Sequence, residues 1–190
     1  MKILLVDNYD SFTYNIVEIL RQLSYTDISL FYNDTISSTL AAQYDKIILS
    51  PGPATPSESG HLLNLIQDLA PTHPILGICL GHQAIAEAFG AHLYNMSQPM
   101  HGRQTQLTIT APDPLLHDMH GEQVGLYHSW VVDPASIPPQ LQVTSVSHDR
   151  QHIMSLRHQH YPVFGWQFHP ESHMTHHGKI LIQRFLEYNL

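Results

Sequence analysis

The sequence predicts an α/β fold: a mostly parallel, open sheet flanked by helices on both faces and lengthened by an antiparallel strand extension. Three observations predict it. Short Val/Ile/Leu runs, apolar on both faces, alternate with helical periodicity through the first half of the chain, as strands buried between two helical layers do. The second half loses that alternation and becomes strand-like runs parted by turn clusters such as "APDP" and "DPASIPP", which points to antiparallel additions at one sheet edge. At 190 residues the chain suits a single domain, 1–190, that buries about 70% of the surface its unfolded form exposes.

Each element follows from its own pattern. "KILLV" (2–6) is a continuous apolar strand, and "SFTYNIVEILRQL" (11–23) sets Phe12, Ile16, Ile19, Leu20 and Leu23 on one helical stripe. "DISLFY" (27–32) and "KIILS" (46–50) read as strands. "SGHLLNLIQDLA" (59–70) carries Leu62, Leu63, Ile66 and Leu69 on a helix stopped by Pro71. "PILGIC" (74–79) is a strand, and "HQAIAEAFG" (82–90) is a short helix whose Gly90 suits a left-handed cap. Strands follow at 106–110, 141–146, 152–158 and 162–168, and "HGKILIQRFLEYNL" (177–190) closes the chain as a docked helix with Ile182, Phe185 and Leu186 inward. No repeat, low-complexity tract or linker interrupts the pattern.

Composition narrows the chemistry. Eight Lys and Arg stand against sixteen Asp and Glu, a formal net charge of -8 with no basic run, so no nucleic-acid or membrane partner is expected. The apolar stretch after Lys2 is only four residues long, too short for a signal peptide or a span, and a cytoplasmic location is expected. One cysteine excludes an internal disulfide. Sixteen histidines make any single one weak evidence. Neither a glycine-rich phosphate loop nor His-Glu-x-x-His is present, and "HMTHHG" (173–178) reads as a solvated turn, so no metal site is expected.

Three segments can carry chemistry. Gly77-x-Cys79-x-Gly81 is the thiol counterpart of the Gly-x-Ser-x-Gly elbow, a sharp strand-to-helix turn where a side chain on either flank would strike backbone. It sets Cys79 beside the free amides of a helix start, which favour thiolate over thiol. A small buried thiol beside a turn fits the segment equally well. In "GWQFHPES", residues two apart along an extended segment share a face, so His169 and Glu171 point together, away from Trp166 and Phe168. Pro170 between them marks a strand ending. A cysteine nucleophile needs such a base, and the base an acceptor to orient it. "LSPGPATPSESG" (49–60) is a rigid loop able to offer backbone N–H groups to an oxyanion, or simply a turn. In "DNYDSF", Asp10 or Ser11 is placed to cap the first helix.

"LSPGPATP", "GICLGHQ" and "QFHPES", in this order and spacing, resemble the class I glutamine amidotransferases of the Cys-His-Glu triad type. "VDNYDSFTYN", "MHGR" and "YHSWVVDP" narrow the resemblance to the small subunits of chorismate-aminating synthases, of the anthranilate or the aminodeoxychorismate kind. The resemblance spans nearly the whole chain and implies a flavodoxin-like sheet. It implies that Cys79 attacks the side-chain amide of L-glutamine, that His169 shuttles the proton to ammonia, and that Glu171 holds the imidazole. It assigns the amides of Gly52 and Leu80 to an oxyanion hole, sets Pro53 and Ala54 in the glutamine loop, and places Gln83, Ser129 and Trp130 against the amino-acid end of the substrate. The implied partner is a large chorismate-binding synthase subunit, component I, which receives the ammonia. No cofactor is implied in this chain, and Mg2+ is expected only in the partner.

The chain departs from the family pattern in four places. Ala54 stands where glycine is common, a strain if φ is positive there. Arg103 replaces a usual lysine, Leu126 a frequent arginine and Trp130 a frequent leucine. "YHSWVVDP" and "IMSLRH" resemble the tryptophan branch more closely, so anthranilate synthase is the expected assembly. A non-catalytic regulatory subunit and a free-standing γ-glutamyl hydrolase are the alternatives.

Overall fold

A computed structural model describes residues 1–189. Its frame is one sheet of nine strands: β1 (Ile3–Asp7), β2 (Ile28–Tyr32), β3 (Lys46–Leu49), β4 (Ile75–Ile78), β5 (Leu93–Ile109), β6 (Gln123–Val132), β7 (Leu141–Ser147), β8 (Ile153–His158) and β9 (Val163–Trp166). They lie in the order β2-β1-β3-β4-β9-β8-β7-β5-β6. The first five are mutually parallel, in the flavodoxin-like arrangement that gathers sites at strand carboxyl ends.

The strands are apolar throughout because alternate side chains enter two cores. Ile3, Leu5, Ile48, Leu76 and Ile78 join α1 (Thr13–Gln22) and α5 (Gly178–Glu187) in one. Leu4, Val6, Ile47, Leu49 and Ile75 join α2 (Ser38–Ala41), α3 (Leu62–Leu69) and α4 (Leu80–Ala88) in the other. The period of two along a strand divides one apolar run between two helical layers. No helix among the described residues is long and apolar enough to cross a membrane.

The structure corrects several boundaries. β9 does not lie among the edge additions: it sits between β4 and β8, parallel to the first and antiparallel to the second. It also ends at Trp166 rather than Phe168. β5 runs for 17 residues where five were expected, and it pairs with β6, which the hydrophobic pattern does not reveal. α2 was not foreseen, being only four residues long. α4 begins at Leu80, two residues before its expected start. Leu190, the expected last residue of the terminal helix, lies outside the described residues.

Candidate active site

β4 delivers Cys79. The residue stands at the entrance of α4 with φ 51° and ψ −100°, a strained conformation for a side-chain-bearing residue, costing about 1–3 kcal/mol. Its N–H donates to the Trp166 carbonyl at 2.8 Å and its carbonyl accepts from Gln83 N–H at 3.0 Å. The flanking glycines are demanded by close approach. A Cβ at Gly77 would lie 2.3 Å from the Gly81 carbonyl oxygen, and one at Gly81 would lie 2.6 Å from that of Leu49. Gly90, with φ +99°, closes α4 as expected: its N–H reaches Glu87 O, and Ala91 N–H reaches Ala86 O, a left-handed cap.

His169 lies past the end of β9, which is paired with β4 so that Ile78 faces Trp166. His169 and Glu171 do point together, as the sequence suggests, but around a turn rather than along a strand. Nδ1 of His169 is 2.6 Å from Oε1 of Glu171, both side chains buried. Nε2, across the ring, is buried with no hydrogen-bond partner among the described residues. Burial opposes protonation of this ring, yet the Glu171 carboxylate and then the charge of nearby Cys79 outweigh it and hold the imidazole well above its usual value.

Three other segments fix His169. The backbone N–H of His169 donates to Gly125 O at 3.0 Å on β6. The Thr175 hydroxyl donates to His169 O at 2.7 Å and accepts from Gly125 N–H at 2.9 Å. Phe12 and Tyr127 set ring edges against it, with centroids 5.4 and 5.1 Å away. The loop bearing Phe12 is itself capped: the Asp10 carboxylate accepts the Phe12 N–H at 2.7 Å, and that of Asp7 accepts the Asp10 N–H and the Thr13 hydroxyl. Neither candidate caps α1, whose N-cap is Phe12 with no side-chain hydrogen bond; Asp10 instead closes the turn just before it.

Cys79 opens onto a cavity of about 200 Å³. Gly52, Pro53, Ala54, Gln83, Ser129 and Trp130 line it with Cys79, while His169 and Glu171 do not. Leu80 packs beside Gly52, whose absent Cβ would fall 2.5 Å from Leu80 Cδ2. The N–H groups of Gly52 and Leu80 have no acceptor among the described residues; Gly52 lines the cavity, whereas Leu80 is buried and does not. Ala54 is not among the residues with positive φ, so its methyl brings no backbone strain. The backbone carbonyl of Trp130 accepts from Gln83 Nε2 at 2.8 Å. Larger cavities of about 440 and 530 Å³ share no residue with this one.

Residue-type reasoning missed three lining residues, His101, Tyr127 and His128, although all three fall inside the quoted "MHGR" and "YHSW". His128 is held neutral, at about 3, chiefly by burial and then by the positive His169. His173, His176 and His177 are exposed, as a solvated turn requires.

The model of the family "Glutamine amidotransferase class-I" matches residues 4–188. The chain is 41% identical to anthranilate synthase component 2 of Thermus thermophilus over a 199-position alignment, covering 98% of this chain and 92% of that one. It is also 41% identical to aminodeoxychorismate synthase component 2 of Escherichia coli over 186 positions, covering 97% and 98%. A solved glutamine amidotransferase from Thermotoga maritima shares the fold with a TM-score of 0.75 at 19% identity, covering 98% of this chain and 81% of that one. Matched along nearly its whole length, this chain belongs to the class-I glutamine amidotransferases.

Proposed function

We propose that this chain is the glutamine-hydrolysing subunit of a chorismate-aminating synthase, of the anthranilate kind. The observation that carries the reading is a strained Cys79 near enough to a buried His169–Glu171 pair for its charge to help raise the imidazole, whose Nε2 is otherwise unpartnered. The Cys79 thiolate attacks the side-chain carbonyl carbon of glutamine, and the oxyanion that forms is received by the N–H groups of Gly52 and Leu80. His169, as imidazolium, gives its Nε2 proton to the departing ammonia, leaving a γ-glutamyl thioester on Cys79. Water, deprotonated by the now neutral imidazole, then breaks the thioester and frees glutamate. Glu171 fixes the tautomer and supports the positive ring.

Gln83, Ser129 and Trp130 receive the amino-acid end of the substrate, beside Pro53 and Ala54. Every step falls to this chain's own groups; Mg2+ is placed in the large chorismate-binding subunit, to which the ammonia passes. A lone reactive thiol also fits a reducing, cytoplasmic compartment. The anthranilate assignment rests on the "YHSWVVDP" and "IMSLRH" segments. The aminodeoxychorismate relative, at the same 41% identity, supports the folate branch as a second reading.

Glutamate release measured with the large subunit tests the chemistry: Cys79→Ala is expected to abolish it, and equal rates would show the thiol idle. Substantial release without a partner would favour a free-standing hydrolase. Complementation of strains lacking either pathway tests the branch, and rescue of the p-aminobenzoate requirement alone would overturn the anthranilate assignment.

A further inference from the structure

We propose that Gln167 is a further catalytic residue, whose side-chain amide donates a hydrogen bond to the Cys79 sulfur and favours the ionised nucleophile. The proposal rests on Cys79 being that nucleophile. Gln167 is wholly buried just past the end of β9, where an amide is costly unless its groups are paired. Its N–H donates to Met154 O at 2.8 Å, so the backbone stays fixed although the strand has ended. Its side-chain Nε2 lies 3.6 Å from Cys79 Sγ.

Which end of the amide faces the sulfur follows from a chain of contacts that starts at a group with no choice. The Trp130 carbonyl can only accept, so the end of the Gln83 side chain that meets it, at 2.8 Å, is the NH2 group. The second hydrogen on that nitrogen points to Gln167, 3.2 Å away, and so meets Oε1. The Nε2 of Gln167 is then left facing Sγ. Reversing Gln167 would oppose NH2 to NH2 at one end and oxygen to sulfur at the other. A donor so held strengthens as negative charge gathers on the sulfur, because hydrogen bonds to ions exceed those to neutral partners. Trp130 and Gln83 line the cavity, so the same chain also links its wall to the nucleophile.

Two substitutions separate donation from packing. Gln167→Leu removes the donor and leaves Gln83 Nε2 with Trp130 O as its one acceptor. Gln167→Glu keeps size and the oxygen that receives Gln83, but puts an acceptor beside the sulfur. The full chain is alkylated with iodoacetamide across pH, and glutamate release is measured with the large subunit bound. Both variants are expected to move the alkylation midpoint upward by about one to two pH units, the worth of a hydrogen bond to a charged group. kcat should fall about tenfold or more while KM changes less.

A midpoint at the parent value in both folded variants overturns the role. So does a shift in Gln167→Leu alone, which assigns the effect to packing; should that variant fail to fold, Gln167→Met, which lacks the donor and adds no charge beside the sulfur, decides in its place. Cys79→Ala separates the two readings: if it still releases glutamate at the parent rate, the nucleophile reading fails, whereas an inactive Cys79→Ala beside unshifted Gln167 variants fails only this inference.

Discussion

The two sides of the candidate site are built in opposite ways. Cys79 is placed mainly locally, by five consecutive residues in which Gly77 and Gly81 allow backbone to meet backbone and Cys79 takes the strain, with its N–H held by the Trp166 carbonyl. His169 is placed by distributed contacts from the loop after β1, from β6, from the turn at 172–175 and from Glu171. A local device has no reserve, because each member excludes any alternative. A distributed one shares its task, so single losses should be graded.

The sharpest break in that contrast is Gly77→Ala. The new methyl would meet the Gly81 carbonyl oxygen at 2.3 Å and His82 N at 2.7 Å, all rigid backbone. Stability should fall by about 3 kcal/mol or more, and displacement of Cys79 should cost about 10²-fold or more in glutamate release. Urea unfolding and a glutaminase assay report the two effects. Parent-like values in both would mean that the elbow is not fixed by close approach.

Next in size is Glu171→Gln, which tests the one charged member of the distributed set. Without the carboxylate, the His169 pKa falls, so the imidazolium survives only to lower pH and the alkaline limb of the glutamate-release profile moves down. The rate at its optimum should drop about 10²–10⁴-fold, the range for general acid–base catalysis. The sign for stability follows from the raised value in the folded chain. That contribution is fully present below about pH 6.5, the usual histidine value, and is lost as pH rises through the raised one. Glu171→Gln should flatten that slope in pH-dependent urea unfolding. An unmoved alkaline limb would show that Glu171 does not govern the ring.

The same contrast decides what can be read from the chain. The elbow is legible because its parts are adjacent and its glycines have a steric reason to be there. The parallel core is legible because alternate side chains fill two cores, leaving continuous apolar runs such as Ile3–Val6. The supports of His169 are dispersed from Phe12 to Thr175, and no spacing rule joins them. β5 escapes the hydrophobic pattern because most of its side chains are exposed or half-buried, leaving no alternation to detect. β6 escapes for a different reason: Tyr127, His128 and Ser129 face the cavity, so polar residues occupy a strand that periodicity alone would reject. The early end of β9 is equally hidden, since Phe168 still packs in the core, stacked on Trp166 at 5.6 Å, after the strand has stopped.

The smallest expected effect on turnover comes from Thr175→Val, which preserves shape and removes only the hydroxyl. That hydroxyl accepts the Gly125 N–H at 2.9 Å and donates to His169 O at 2.7 Å. Without it the buried Gly125 N–H loses its acceptor, a cost of about 1–3 kcal/mol in urea unfolding. His169 O keeps the Ser172 N–H at 3.3 Å, and the ring keeps Phe12, Tyr127 and Glu171. Glutamate release at the pH optimum should therefore fall only a few-fold, with the pH profile unmoved. A loss as large as that of Glu171→Gln would show that the placement of His169 depends on one latch after all, erasing the difference between the two sides of the site.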